Sequence, residues 1–172
     1  TEAGLYKFSS TQVTLSAADA APLLAYAASL PDDCIYEDED DPTLGREDEP
    51  HATILYGIHT TEAAPVAAAL AGVGPIHLTL GKMAVFSDPD KPYDVLLVAV
   101  HGDDLHRIHA LIKTSAEHGE TWPTYTPHLT VAYVKRGLAA RYVGDSRFEG
   151  KTLTFSSLTF SATDGARHEL PL

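Results

Sequence analysis

The sequence predicts an α+β fold in which two pseudo-symmetric lobes, each an antiparallel sheet with outer helices, enclose a central cleft. The main observation is the heptapeptide pattern Pro-His-x-Thr-x-x-Tyr, which occurs at residues 50–56 and again at 127–133. Strand-forming and helix-forming segments also follow one another in a similar order around the two copies. The third observation is length, because 172 residues suit one bilobal domain over 1–172 that buries about 70% of its unfolded surface.

The N-terminal section is predicted as a strand, a helix and a loop. Residues 5–15 favour a strand, and Ser16 is the expected N-cap of an alanine-rich amphipathic helix. The helix ends near Leu30, because Pro31 follows it directly. The acidic run over 37–49 has little apolar surface to bury, so we expect an exposed loop there.

The first copy of the repeat is predicted to be a strand over 51–58, followed by a helix over 61–71. The copy is β-rich and apolar between its polar positions, and His51 and Thr53 point to one face of such a strand. Thr61 is the expected N-cap of the helix. Both motif strands are expected to lie centrally in their sheets and to face the shared cleft.

The rest of the chain is predicted to lead through a hairpin to the second copy of the repeat. The turn sequence Asp-Pro-Asp-Lys-Pro at 88–92 separates two β-rich segments, and two aspartates open the helix that follows. The predicted elements are strands over 76–86 and 93–101, a helix over 103–118, a strand over 127–135, a short helix near 138–143, and strands over 151–162 and 167–171.

The net charge of −12 is distributed unevenly along the chain. Residues 1–50 hold 12 acidic and 2 basic side chains, whereas residues 51–172 hold 12 acidic and 10 basic ones. The section with both copies of the repeat is therefore close to neutral. A small anionic substrate is compatible with this charge, whereas long duplex nucleic acid is not.

Composition also bears on the cellular setting. The lone Cys34 cannot form an intrachain disulfide, so an intracellular, cytoplasmic location is expected. No segment has the ~18 consecutive apolar residues of a membrane span, and no membrane partner is expected. The chain begins at Thr1 rather than Met, which leaves open that it is processed or forms part of a longer polypeptide.

The pattern His-x-Thr is a weak signal by itself, because it occurs four times in this chain. Two copies, at His59 and His77, lack the surrounding frame. Only the copies at His51 and His128 have a proline before the histidine and a tyrosine five residues after it. The predicted catalytic residues are therefore His51, Thr53, His128 and Thr130.

These residue types suit acid–base chemistry on a phosphodiester. A neutral imidazole takes a proton from the nucleophile while a protonated one donates to the leaving oxygen, and the histidine pKa of about 6.5 allows both. The threonine hydroxyls would donate hydrogen bonds to the non-bridging phosphate oxygens. This chemistry requires no metal and no cofactor, and the sequence leaves open which histidine is the base.

Other side chains are candidates for contacts with the substrate. Aromatic rings stack on nucleobases, and basic side chains after the second motif can neutralise phosphate. Tyr56 and Tyr133 would fall on the opposite face of regular strands from the motif histidines, so we expect them to pack. The candidates for substrate binding are Tyr6, Phe86, Trp122, Tyr125 and Lys135, with Arg136 beside the last of these.

Two alternatives involve a metal ion. His101, His106 and His109 could contribute to a metal site, although neither a cysteine nor a suitably spaced glutamate supports it. The acidic run at 37–41 lacks the glycine and the closing glutamate of an EF-hand loop. A solvated loop is the preferred interpretation of that run, with a lid over the cleft as a further option.

The segments His51-Ala52-Thr53-Ile54 and His128-Leu129-Thr130-Val131 resemble the paired signature of the two-histidine (2H) phosphoesterases. That group includes RNA cyclic phosphodiesterases, 2′-5′ RNA ligase-like (LigT-like) proteins, and phage enzymes that degrade the cyclic oligonucleotide messengers of bacterial CBASS defence. Segments 45–51 and 125–133 look closest to phage-encoded members, and the resemblance covers about 45–172. It implies the same metal-free mechanism, with the two motif histidines as the acid–base pair.

The predicted function is metal-independent hydrolysis of a nucleotide phosphodiester. A cyclic oligonucleotide messenger, cleaved for phage immune evasion in the host cytoplasm, is the first choice because the closest-looking relatives are phage proteins. One alternative is hydrolysis of RNA 2′,3′-cyclic phosphates or 2′-5′ linkages. Another is a non-catalytic protein that sequesters a cyclic nucleotide in the same cleft.

Overall fold

The computed structural model describes residues 7–119 and 124–172. Most of the predicted elements are present within these ranges, and none of the helices there is long and apolar enough to cross a membrane. In chain order the elements are β1 Ser9–Thr14, α1 Ala17–Ser29, a 3₁₀ helix Asp32–Cys34, β2 His51–Ile58, α2 Ala64–Ala69, β3 Ile76–Ser87, β4 Tyr93–His101, α3 Asp103–Ser115, β5 His128–Lys135, a 3₁₀ helix Ala140–Tyr142, β6 Thr152–Phe155, β7 Ser157–Ser161 and β8 Arg167–Pro171.

The strands form two antiparallel sheets of four, which confirms the predicted α+β fold class. Sheet A has the order β2-β1-β7-β8, and sheet B has the order β5-β4-β3-β6. The prediction that the His-x-Thr motifs lie on central strands was wrong, because β2 and β5 are each the edge strand of their sheet. These two edges contact each other, so both motifs lie at the junction between the sheets.

Each half of the molecule covers the open edge of the other half's motif strand. Helix α1 follows β1 of sheet A but contacts β5, whereas α3 follows β4 of sheet B and contacts β2. The loop after α1 accepts a hydrogen bond from the backbone N–H of Tyr133 at Gly45 O, over 2.8 Å. The segment after α3 mirrors this contact, with the Gly119 N–H donating to Gly57 O over 3.0 Å. These bonds satisfy backbone groups that an edge strand would otherwise leave open.

The helices are held by apolar packing and by one arginine. Helix α3 buries Leu105, Ile108 and Ile112, whose spacing of three and four residues forms one apolar stripe. At the end of α1, Nε of Arg46 donates to the carbonyl oxygen of Ala27 over 2.8 Å. One of the few basic residues of the acidic section therefore caps a helix.

Two predicted elements differ in the structure. The segment predicted as one strand over 151–162 is two strands, because β6 pairs with β3 in sheet B and β7 pairs with β1 in sheet A. The chain crosses from sheet B to sheet A at Ser156. The alternation of side chains in the sequence does not show where one strand ends and the next begins. Thr61 is not the N-cap of α2, which Ala63 precedes without a side-chain bond. Thr60 instead accepts the local hydrogen bond from the backbone two residues on.

Candidate active site

The two motif histidines are held in the same way. Nδ1 of His51 lies 2.8 Å from the carbonyl oxygen of Glu49, and Nδ1 of His128 lies 2.9 Å from that of Thr126. A carbonyl oxygen only accepts hydrogen bonds, so Nδ1 carries a proton in each ring. Nε2 is therefore the nitrogen of each ring that can take up or release a proton near neutral pH.

Both motif strands carry a β-bulge at the same place, directly after the threonine. The pairing of β2 with β1 skips Ile54, and the pairing of β5 with β4 skips Val131. In each strand the histidine and the threonine precede the bulge, so their side chains share one face. A bulge inserts one extra residue, and the alternation of faces shifts by one position beyond it.

This shift changes the position of the two motif tyrosines. The register places Tyr56 on the same face as Thr53, and Tyr133 on the same face as Thr130. The prediction that both tyrosines lie on the opposite face was wrong, because it assumed regular strands. Tyr56 is 45% exposed, whereas Tyr133 packs edge-on against Tyr93 with ring centroids 5.2 Å apart.

Burial affects the protonation of His128. The pKa of His128 lies below the usual histidine value, mainly because burial disfavours the charged imidazole. The hydrogen bond to Thr126 opposes this shift, whereas the positive charge of His51 adds to it. The strands that begin with these two histidines, β2 and β5, contact each other. His128 is therefore mostly neutral at pH 7.

A pH dependence of stability follows from these pKa values. The pKa of His128 and that of His109 are both lowered by burial, so the unfolded chain binds more protons than the folded one just below the unfolded value of about 6.5. The free energy of unfolding is therefore expected to fall as the pH is lowered from about 7.5 to about 5.5. Urea unfolding at a series of pH values measures it, and His128→Asn should flatten the slope. An equally steep slope in that variant would contradict the assignment.

Polar side chains cover the face of sheet A that carries the first motif. Directly opposed residues of neighbouring strands share a face, and the row of Thr53 continues through Gln12 and Thr159 to Glu169. His51 is likewise opposed by Thr14. The other face of this sheet belongs to the apolar core, which includes Val13, Ala52, Ile54, Leu158 and Phe160.

The corresponding face of sheet B is mainly apolar. The register places Leu97, Ala84 and Phe86 on the face of Thr130. The ring of Phe86 lies edge-on to the ring of His128, with centroids 4.8 Å apart and an angle of 77° between the planes. Phe86 is 39% exposed, so an aromatic surface lies beside a motif histidine. The two sheet faces that carry the motifs, which together line the proposed groove, therefore differ in chemistry.

Tyr125 links the two motifs rather than standing free at the mouth of the cleft. Its hydroxyl donates to the carbonyl oxygen of Thr53 over 2.8 Å, and its ring stacks on His109 with centroids 4.1 Å apart. Nδ1 of His109 lies 2.6 Å from the carbonyl oxygen of Ile54, the bulged residue of β2. Burial raises the pKa of Tyr125, so its hydroxyl stays protonated as a donor. The pair thus holds two carbonyl groups at the first motif's bulge.

The remaining binding candidates do not gather at the histidines. Tyr6 and Trp122 lie outside the described residues. Lys135 is exposed at the far end of β5, seven residues after His128. Arg136 donates two hydrogen bonds of 2.7 Å to carbonyl oxygens of the β3–β4 turn, so its role there is structural rather than phosphate binding.

The metal alternatives find no support in the part of the chain that the structure describes. No group of three or more His, Cys, Asp or Glu side chains there is arranged to hold a metal ion. His106 and His109 both contact the ring of Tyr125 instead. The acidic residues 37–40 are exposed, as predicted, and the carboxylate of Asp41 accepts hydrogen bonds from its own turn.

Two features near the motifs were not predicted. Gln12 and Thr14 lie beside the first motif, and the sequence does not single them out, because five of the six residues of β1 are polar. The link between His109 and Tyr125 has no sequence signal, because the two residues come from different elements and meet only in the fold.

A family comparison gives the class to which this protein belongs, the 2H phosphoesterases. The family model of the 2′-5′ RNA ligase superfamily matches residues 63–165, which is more than half of the chain. The chain belongs to this family. A search of curated proteins for relatives in sequence found no significant match.

Solved structures share the whole fold at low sequence identity. Usb1 of Kluyveromyces marxianus is similar with a TM-score of 0.62 and 9% identity, covering 96% of this chain and 98% of that chain. The protein TT0787 of Thermus thermophilus gives 0.60 and 14%, covering 95% and 97%. E. coli LigT complexed with 3′-AMP gives 0.59 and 14%, covering 95% and 94%.

Proposed function

We propose that this protein is a metal-independent phosphodiesterase that hydrolyses a nucleotide phosphodiester with His51 and His128 as its acid–base pair. The observation that carries the proposal is the matched geometry of the two histidines. Each begins an edge strand at the junction of the sheets, and each uses Nδ1 for a backbone carbonyl. Two Nε2 atoms are thereby left for two proton transfers at one phosphate.

The proposed reaction transfers two protons. A neutral imidazole takes a proton from water as the water oxygen bonds to phosphorus, and the second, protonated imidazole donates its proton to the leaving oxygen as the old P–O bond breaks. The hydroxyls of Thr53 and Thr130 donate to the non-bridging oxygens, where negative charge develops. Proton exchange with solvent restores both rings.

We base the proposed choice of the base on the burial of His128. The lowered pKa of His128 keeps its ring neutral at pH 7, which is the form that accepts a proton from water. His128 is therefore proposed as the base, and His51 as the acid that protonates the leaving group.

A cyclic oligonucleotide is the proposed substrate, in a role in phage immune evasion. The resemblance of segments 45–51 and 125–133 to phage-encoded members favours that role. The groove supports a substrate with a nucleoside on each side of the phosphate, because one side is apolar around Phe86 and the other is polar around Gln12 and Thr159. Neighbouring structures contain 3′-AMP in LigT and uridine monophosphate in Usb1, which supports a nucleotide ligand.

Hydrolysis in the presence of EDTA tests the proposal directly. The full chain is incubated with cyclic di- and trinucleotides, 2′,3′-cyclic mononucleotides and 2′-5′ oligoadenylate, and the products are separated by chromatography. Cleavage at an undiminished rate in EDTA is expected, and the cleaved compound identifies the linkage. Binding of a cyclic nucleotide without any product would instead indicate a sequestering protein, and loss of activity in EDTA would contradict the metal-free mechanism.

Phe86→Leu is expected to raise KM about tenfold with little change in kcat. The leucine keeps an apolar side chain beside His128 but lacks the aromatic face, whose stacking on a base contributes ~1–3 kcal/mol. Steady-state kinetics on the identified substrate measures the effect. The matched control is Leu138→Ala, which removes another exposed apolar side chain, 45% exposed, away from the groove. An unchanged KM in Phe86→Leu would remove Phe86 from the proposed binding surface.

A further inference from the structure

A cavity of about 220 Å³ lies on sheet A outside the pair of histidines. It opens where the chain crosses between the sheets, beside the start of α1. The volume falls below the about 300–1,000 Å³ of pockets for drug-sized ligands, so it suits a single base rather than a dinucleotide. Its lining includes Thr14, Asp19, Ser157, Thr159 and Glu169.

The strand register connects this cavity to the proposed catalytic residues. Thr14, in the cavity wall, is the direct partner of His51 across the β1–β2 ladder, and the Cβ atoms of such partners lie about 5 Å apart. Thr159 is separated from Thr53 by one strand, which is about 10 Å at a strand spacing of about 4.8 Å. The cavity is therefore on the same face as the first motif and within reach of a nucleoside attached to the phosphate.

The chemistry of the cavity is dominated by one carboxylate. Ser157 and Thr159 donate their hydroxyl protons to Glu169, over 2.7 and 2.8 Å. These two bonds lower the pKa of Glu169, so the side chain is ionised at neutral pH. Because each hydroxyl has donated its only proton, all four oxygens can only accept further hydrogen bonds.

Such a surface selects its ligand by charge and by hydrogen bonding. A phosphate would be repelled by Glu169, whereas Asp19, the second carboxylate in the wall, is paired with Lys151 over 3.7 Å. A group rich in N–H donors would instead be bound, and an ionised carboxylate forms strong bonds with two adjacent donors. The edge of guanine presents such donors, whereas uracil presents one ring N–H between two carbonyls.

We propose that this cavity is a second nucleoside subsite that binds a guanine base of the substrate through Glu169. The proposal rests on the proposed function, since it assumes a phosphodiester held between His51 and His128. It places the guanine over sheet A, while the nucleoside on the other side of the phosphate lies against Phe86. The enzyme would then favour a cyclic dinucleotide that contains guanine over a single-nucleoside substrate.

Glu169→Gln tests the subsite, because glutamine keeps the size of the side chain and replaces one acceptor oxygen with a donor. With cyclic di-GMP, KM is expected to rise about tenfold while kcat stays within about twofold of the wild type. With 2′,3′-cyclic UMP, both constants should remain close to those of the wild type. Equal changes for the two substrates, or none for either, would overturn the proposal. The matched control is Glu149→Gln, an exposed carboxylate away from the cavity.

A binding measurement separates failure of the subsite from failure of the proposed function. Guanosine and uridine lack the phosphate, so their binding by equilibrium dialysis does not depend on hydrolysis. The wild-type protein is expected to prefer guanosine, and Glu169→Gln to remove the preference. If no nucleotide is cleaved but this preference is found, the proposed subsite is supported and the proposed hydrolase activity is wrong. If cleavage is found without the preference, the reverse holds. Ser157→Ala serves as a second variant if Glu169→Gln unfolds.

Discussion

Replacing His51 or His128 with alanine is expected to lower kcat by about 10²- to 10⁴-fold, because each variant lacks one of the two proposed proton-transfer groups. Neither ring is needed for folding, since each is only partly buried and is bonded to one carbonyl of its own segment. Thermal unfolding should therefore give folded proteins for both variants. The double variant should lower kcat little more than either single variant, because the effects of residues that act as a unit are not additive.

The matched control for this experiment is His59→Ala. His59 belongs to a third copy of His-x-Thr but lies beyond the end of β2, where its ring stacks on Phe8 and its Nδ1 lies 3.7 Å from Oε1 of Glu117. Its variant should keep wild-type kcat. If a folded His51→Ala or His128→Ala protein also kept wild-type kcat, the assignment of the acid–base pair would be wrong.

Tyr125→Ala is expected to reduce both stability and activity. The variant loses the stacked contact with His109 and the hydrogen bond to Thr53. Removal of a packed aromatic side chain is expected to lower the free energy of unfolding by about 3 kcal/mol. The same loss releases the bulge of β2, where His51 and Thr53 are positioned. Urea unfolding and steady-state kinetics measure the two effects separately.

Tyr125→Phe distinguishes the hydroxyl from the ring. It removes only the hydrogen bond to the Thr53 carbonyl, which contributes about 1 kcal/mol. If this bond stabilises the transition state through the position of the first motif, kcat should fall about fivefold. KM should stay constant, because the hydroxyl does not face the substrate. The control is Tyr142→Phe, whose hydroxyl accepts a surface bond from Arg141. A kcat equal to the wild type in Tyr125→Phe would limit Tyr125 to a structural role.

The local elements of the fold were predictable because their signals are local. The alternation and β-rich composition of both motif copies placed β2 and β5 within one residue of their observed bounds. Ser16 accepts the capping hydrogen bond of α1 as predicted. The order of strands was not predictable in the same way, because an edge strand and a central strand with one polar face have the same pattern.

The bulges left a sequence signal that the prediction did not use. In both copies two apolar residues follow the threonine directly, Ile54-Leu55 and Val131-Ala132, which breaks a strict alternation. Both members of each pair are buried, as the extra residue of a bulge allows. The position of the tyrosines depended on this single residue, since a shift by one reverses the face of everything beyond it.

The cavity on sheet A could not be predicted, because its residues come from distant parts of the chain. Thr14 and Glu169 line the same cavity only because the strands are arranged in the order β2-β1-β7-β8. No local pattern states that the strands after Ser156 return to the sheet begun at β1.

The crossing at Ser156 also affects the order in which the protein is assembled during synthesis. Sheet B is built from consecutive strands, β3 to β6, so it can pair as soon as β6 has left the ribosome. Sheet A contains the first two strands and the last two, and β1 pairs with β7 as well as with β2. The sheet that carries His51 therefore cannot be completed until the final strands are synthesised. Pairing between strands so distant in sequence is slow to form. A nascent chain halted before β7 should contain a formed half around His128 and no functional active site.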